Sequence, residues 1–334
     1  MKYTVLFLRK ASAIQLIALG ALKPQRARIP PLAESCLELP NLETHFSRMI
    51  FVTTLLMVSL NVLSVGRVRG KAISKRGAAY NDISNVLPLS KAGTVSWAYN
   101  WAVTEPNELP PGVEFVPMLW GTASFDGWQE SVESTLSGGS EYILGFNEPD
   151  MSSQASLSPS VAANYYREYI TPFQGKAKLV SPAVTSSTSP GMGLGWLHEF
   201  MGACSSCSIS GVAVHWYGDS ADSFKGFIYE VIIFARSYGL SEVWITEFAL
   251  DADMNGVADD EATEAFIHDV TPWLDSQSIV TRYSYFMCAE RYLLTGGVLN
   301  TAGKAYVSLS GSSDSVGSTS SSVSCNGLHS VEVQ

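Results

Sequence analysis

Positive charge is sparse in this sequence. Its 334 residues carry 21 Lys and Arg against 31 Asp and Glu, a formal net charge of −10 with no basic stripe. Such a chain is repelled by phosphate backbones, which argues against nucleic acid as a partner. Cysteine is scarce as well, at five, so the fold is not a disulfide-dense scaffold. Cys204-x-x-Cys207 has neither a second such pair nor a His-x-x-His companion. A disulfide stapling a loop is the favoured reading, ahead of a redox pair or half a metal site. Cys288 lies in an apolar run and reads as a buried thiol. No phosphate-binding loop, dinucleotide fingerprint, serine nucleophile elbow or zinc pattern is present, so neither a cofactor nor a metal is expected. The stretch from Asp251 to Gly256 opens like a calcium loop, but the position that needs a bidentate Glu is Ala262.

Long apolar runs and N-x-S/T sequons are missing too. The run Tyr3–Leu22 is interrupted by Arg9 and Lys10, and Ile50–Val65 has the length of a signal-peptide core rather than a spanning helix. Stable membrane insertion is therefore not expected. Met49 reads as the start of a signal-like segment, 49–66, with residues 1–48 as an upstream extension. A basic pro-region follows and ends in Lys75-Arg76, which resembles a kexin-type processing site ahead of Gly77. The implied location is secreted or in the cell wall. Residues 310–334 are Ser-rich and nearly free of apolar side chains, so they cannot offset their ordering entropy by burial and read as a disordered tail. They lack the hydrophobic stretch of a lipid-anchor signal.

What is abundant is apolar and aromatic. The chain is 46% hydrophobic, with 8 Trp and 14 Tyr, flat faces with polar edges that suit pyranose rings as well as ordinary cores. Between residues 77 and 309, eight short apolar runs recur: GAAY (77–80), VSWAYNW (95–101), EFVPMLW (114–120), YILGFNEP (142–149), KLVSPAV (178–184), GVAVHWYG (211–218), VWITEFAL (243–250) and RYSYFM (282–287). Their continuous apolar character fits parallel strands buried on both faces. Residues 159–173, 224–238 and 260–274 show helical spacing between them. The fold expected over 77–309 is a single (β/α)8 TIM barrel of the α/β class.

The working residues of such a barrel stand at the C-terminal ends of its strands. Run four ends on Glu148 and run seven carries Glu247. Strands four and seven lie on opposite sides of an eight-stranded barrel, so the two carboxylates can face each other across its mouth. Glycoside cleavage needs that pairing: one acid protonates the leaving oxygen while the other carboxylate attacks or activates water. Beside them, Asn147 is placed to bond a sugar 2-hydroxyl. His215 and Tyr217 share one face of run six, next to the strand of Glu247, and Trp216 points the other way unless the strand has already ended. Tyr99, Asn100, Trp101 and Trp120 end runs two and three, as sugar platforms or polar contacts; Trp216 is carried as a further substrate-binding candidate.

The motifs YND, SWAYNW, FVPMLWG, LGFNEPD, VSPAV, VAVHWYG and WITEF, in this order, resemble those of fungal members of glycoside hydrolase family 128, a clan of barrels with catalytic carboxylates on strands four and seven. The resemblance spans 77–309. It implies β-1,3-glucan as substrate and a retaining mechanism, Glu148 being acid/base and Glu247 nucleophile; the leading reading is an endo-acting monomer on wall-type glucan. A glucan-binding wall protein without catalysis, or a glycosidase for β-1,4 or β-1,6 linkages, are the competing readings.

Overall fold

The computed structural model describes residues 74–254 and 260–308. The signal-like segment 49–66 and the Ser-rich tail 310–334 lie outside them. Eight parallel strands form one sheet: β1 (Arg76–Ala79), β2 (Val95–Tyr99), β3 (Glu114–Phe115), β4 (Tyr142–Ile143), β5 (Lys178–Val184), β6 (Ile209–Gly218), β7 (Glu242–Leu250) and β8 (Val280–Tyr285). Their order is β3-β2-β1-β8-β7-β6-β5-β4. The sheet curls until its end strands meet: beyond β3, Met118 bridges Leu144, and Leu144 N–H donates to Pro117 O at 2.9 Å. Each strand falls on one of the eight apolar runs.

Helices cross between most strands: α1 (Val86–Ser90), α2 (Trp128–Ser137), α3 (Pro159–Tyr165), α4 (Gly193–Ala203), α5 (Ala221–Ser237), α6 (Asp251–Met254), α7 (Asp260–Ser276) and α8 (Thr301–Val307). The passage from β2 to β3 carries no helix, so the regular alternation fails there. Pro106, Pro110 and Pro111 explain this, since each removes a backbone donor and two of them stand together. Elsewhere the local sequence agrees with its helix. Ser220 accepts from Ser223 N–H at the start of α5, and Gly239 takes the left-handed conformation just beyond its end, with φ of 70°. Cys204 and Cys207 form a disulfide after α4. Cys288 is a free, buried thiol, pushed up to about 12 by burial. Among the described residues no helix is long and apolar enough to cross a membrane.

The interior of the curl is layered. At its N-terminal end Arg282 pairs with Glu114 at 2.5 Å and lies over the rings of Tyr142 and Trp244, 4.4 and 4.8 Å from their centroids. Trp97 meets Trp244 edge-on at 5.1 Å. This charged and aromatic plug fills the floor, and one layer higher the inward side chains are the candidate site residues.

Lys75 and Arg76, which the sequence places at the end of a pro-region, are engaged by the fold. Arg76 opens β1 and is 1% exposed. Its guanidinium bonds Asp275 at 2.8 Å and Tyr283 Oη at 2.8 Å, and it also donates to the carbonyls of Tyr306 and Ser308. Lys75 Nζ donates to the carbonyls of Leu274, Asp275 and Gln277 at the end of α7. The pair that reads as a cleavage signal caps orphaned carbonyls and ties the first strand to the last helices.

Candidate active site

Glu148 is delivered by the tail of β4. Gly145 makes the approach possible: a Cβ there would stand 2.7 Å from Pro182 N on β5. Asn147 then bridges Ala183, and Glu148 N–H donates to Ala183 O at 2.8 Å. Pro182 offers no donor to β6, and the ladder registers this as a shift between Val180 and Ala183. Ser181 Oγ substitutes by accepting from Ala213 N–H at 3.0 Å. Glu148 itself has φ of 41°, and Trp101 has 57°. Positive φ is uncommon for residues with a Cβ and costs on the order of 1–3 kcal/mol. Two side chains that face the same cleft therefore sit on strained backbone.

Glu247 comes from the middle of β7, opposite His215 of β6. The ladder pairs Val214 with Ile245 and then His215 with Glu247, so Thr246 is an extra residue on β7. Without that shift His215 would pair with Thr246. The bulge turns the carboxylate toward the interior.

The three side chains meet. His215 Nδ1 lies 2.9 Å from Glu148 Oε1 and 3.4 Å from Glu247 Oε2, and one ligating atom from each residue falls within 4.8 Å of the others. They are the one group among the described residues close enough to hold a metal ion. Glu247 receives further donors: Trp101 Nε1 at 2.7 Å, Tyr99 Oη at 3.4 Å, and the hydroxyl of Tyr217. Tyr99 Oη also fixes the strand by donating to Thr246 O at 2.9 Å.

Burial sets the electrostatics. Glu148 is 6% exposed, and loss of water raises its carboxyl above the usual carboxylate range; the His215 bond opposes that rise without cancelling it. Burial alone would lower His215, but the neighbouring Glu247 and Glu148 carboxylates raise it overall. Tyr99 and Tyr217 are held well above the ordinary phenol value by burial first and by Glu247 second, so both remain donors.

The other candidates separate into two groups. Trp101 and Trp120 are half-buried beside the core, as platforms would be. Asn147 is buried, with its Nδ2 3.4 Å from Gln154 Oε1 and no partner for Oδ1 among the described residues. Asn100 closes its own turn, accepting from Ala102 N–H and donating to Thr104 O. Trp216 is a correction: β6 continues to Gly218, so alternation turns the indole outward, where it stacks on Phe266 at 5.7 Å and meets Phe224 edge-on. It is core, not cleft.

Sequence reasoning missed Phe286, which lies edge-on to both Trp101 and Tyr217, 5.9 and 5.7 Å between centroids. It also missed Asp150, which accepts from Thr185 and Gly193 and pins the loops beside Glu148. An apolar residue at the end of the eighth run was the available signal for the first. An Asp two positions beyond Glu148 was the signal for the second.

Residues 77–306 match the family described as glycosyl hydrolase catalytic core. Alkali-sensitive linkage protein 1 of Schizosaccharomyces pombe is 32% identical over 228 residues, which cover 67% of this chain and 39% of that relative. The chain thus spans about two fifths of the length of that curated relative. A curdlan-specific exo-β-1,3-glucanase of glycoside hydrolase family 128 (subgroup III) from Blastomyces gilchristii, solved with glucose, is 40% identical, covering 70% of this chain and 98% of its own, with a TM-score of 0.66. An endo-β-1,3-glucanase of the same family (subgroup II) from Sorangium cellulosum is 30% identical, with the same coverage and a TM-score of 0.57.

Proposed function

Because this chain belongs to the glycosyl hydrolase catalytic core family and, with its solved neighbours, to glycoside hydrolase family 128, we propose that it is a retaining endo-β-1,3-glucanase. The observation that carries the reading is the meeting of two buried carboxylates from β4 and β7, with oxygens inside 4.8 Å. Retention needs carboxyl groups about 5–5.5 Å apart, whereas inversion leaves about 6.5–9.5 Å for a water. The spacing supports the retaining geometry.

The roles follow from the surroundings. Glu148, its carboxyl raised by burial, serves as the acid and gives its proton to the glycosidic oxygen as the bond to the anomeric carbon breaks. Glu247 receives bonds from Trp101, Tyr99 and Tyr217. Those donors hold the attacking carboxylate in place, and it forms the bond to the anomeric carbon. Glu148, now ionised, takes a proton from water, which releases the sugar from Glu247 and restores both groups. His215, between them, orients Glu148. Asn147 Oδ1 is available to a sugar 2-hydroxyl, and Trp101 and Trp120 offer faces to the rings. Two carboxylates suffice for this chemistry, so no metal step is needed. The signal-like segment read in the sequence favours action outside the cell, on wall glucan.

The exo mode of the 40% identical Blastomyces enzyme favours a second reading, release of sugar from chain ends. Laminarihexaose separates the two: endo action gives intermediate oligomers early, exo action one small product from the start. The wild-type chain is expected to cleave laminarihexaose and curdlan but not cellohexaose. Glu247→Gln should lose on the order of 10⁴-fold in kcat. Activity that persists in this variant would overturn the assignment, and wild-type binding without turnover would favour a glucan-binding protein instead.

A further inference from the structure

The face built from α2 and the helical stretch 159–173 carries more aromatic surface than its packing uses. Trp128, Tyr166 and Phe173 fill the interior of that face and are buried. Trp128 Nε1 donates to Tyr169 O at 2.7 Å and Tyr166 Oη to Val180 O at 2.9 Å. Outside them, half-buried, stand Phe125, Tyr165 and Tyr169. Phe125 and Tyr169 stack with centroids 4.0 Å apart and planes 13° from parallel. Tyr165 meets Phe125 edge-on at 4.9 Å.

Phe125 and Tyr169, with Trp128 and Phe173, flank a groove of about 450 Å³, whose remaining walls include Gln129, Glu130 and Glu168. No Lys or Arg lines it. Lys176, 5.7 Å from the centroid of the Phe173 ring, is outnumbered by the Glu130 and Glu168 carboxylates in the walls, so the balance of charge disfavours an anionic ligand. The size is that of a small-molecule site. Flat rings beside carboxylate and amide groups match a neutral sugar: its C–H faces cover the aromatics, and its hydroxyls donate to the carboxylates. None of these residues belongs to the catalytic cluster. Phe125 nevertheless stands only five positions beyond Trp120, on the loop leaving the C-terminal end of β3, which is the catalytic end of the sheet.

We propose that this groove is a second binding site for a neutral β-glucan strand, outside the catalytic cleft, that anchors the enzyme to insoluble polymer. The proposal rests on the glucanase reading. Its role is to hold a polymer longer than the cleft while the carboxylates cut, and it matters for particles rather than for short soluble chains.

The test uses the full chain with Tyr169→Ala and, separately, with Glu130→Ala/Glu168→Ala; the two Glu positions are exposed, so the second variant spares the fold. Sedimentation with curdlan measures binding, and kcat/KM on laminarihexaose measures the cleft. Each variant is expected to bind curdlan about five- to tenfold more weakly while its laminarihexaose kcat/KM stays within about twofold. Unchanged curdlan binding in both variants overturns the proposal. Parallel losses on curdlan and laminarihexaose overturn it as well, because the groove then serves the cleft or the fold. If the wild type turns over no laminarioligosaccharide, the glucanase reading fails separately, and the binding comparison still decides whether the groove holds glucan.

Discussion

Glu148 and His215 share one bond but pull against each other. Burial raises the Glu148 carboxyl, and the His215 contact lowers it part of the way back. A general acid acts only while protonated, so activity falls as pH rises through its raised value. Replacing His215 with Asn removes the lowering contact, and the alkaline limb of kcat/KM is predicted to move to higher pH while the rate drops by about tenfold or more. A limb that stays in place or moves down would show that another group sets it. Of these residues, Glu148 and Glu247 stood out in the sequence as single carboxylates within apolar runs four and seven. Their meeting through His215 was not, because it depends on the extra residue Thr246 in β7, and no pattern in WITEF announces a bulge. Trp216 was misplaced for a related reason: its orientation turns on where β6 ends, and the strand runs two residues further.

Among the elements, the eight strands were readable because each is a continuous apolar run buried on both faces. The connections were less so. Eight helices follow from analogy, yet the proline-rich passage between β2 and β3 has none. The packing of the N-terminal edge was not legible, since a Lys-Arg pair in sequence looks the same whether it caps a helix or waits for a protease. In the fold, the 2%-exposed side chain of Arg76 faces Asp275, which is 34% exposed, and it carries carbonyl bonds from the last helix besides. Losing one partner of a largely buried pair leaves the other uncompensated. Arg76→Ala is therefore predicted to destabilise the domain by about 3 kcal/mol, read as a lowered urea midpoint with an unchanged slope. A chain begun at Gly77 should show at least that loss against one begun at Ser74. Equal midpoints would mean that the latch contributes nothing and that the boundary expected at Gly77 is harmless to the fold.

At the scale of the whole molecule, floor and mouth divide the labour. The Arg282 plug, with Glu114, Tyr142 and Trp244, closes the N-terminal end of the curl, and the chemistry gathers at the other end. There, two side chains on positive-φ backbone, Glu148 and Trp101, converge on the space in front of Glu247. Strain held by packing at a cleft is a cost that stability alone would not select. The low charge and aromatic abundance of the sequence pointed to a neutral substrate, but the β-1,3 linkage rests on kinship, since composition does not encode a linkage.

The central proposal is that Glu247 bonds covalently to the sugar. A 2-deoxy-2-fluoro laminaribioside with a good leaving group slows the release of that intermediate, and peptide mass spectrometry locates it. One fluoro-sugar on the peptide containing Glu247, absent in Glu247→Gln, is the predicted result. A label on Glu148, or turnover with no covalent adduct at all, would contradict it.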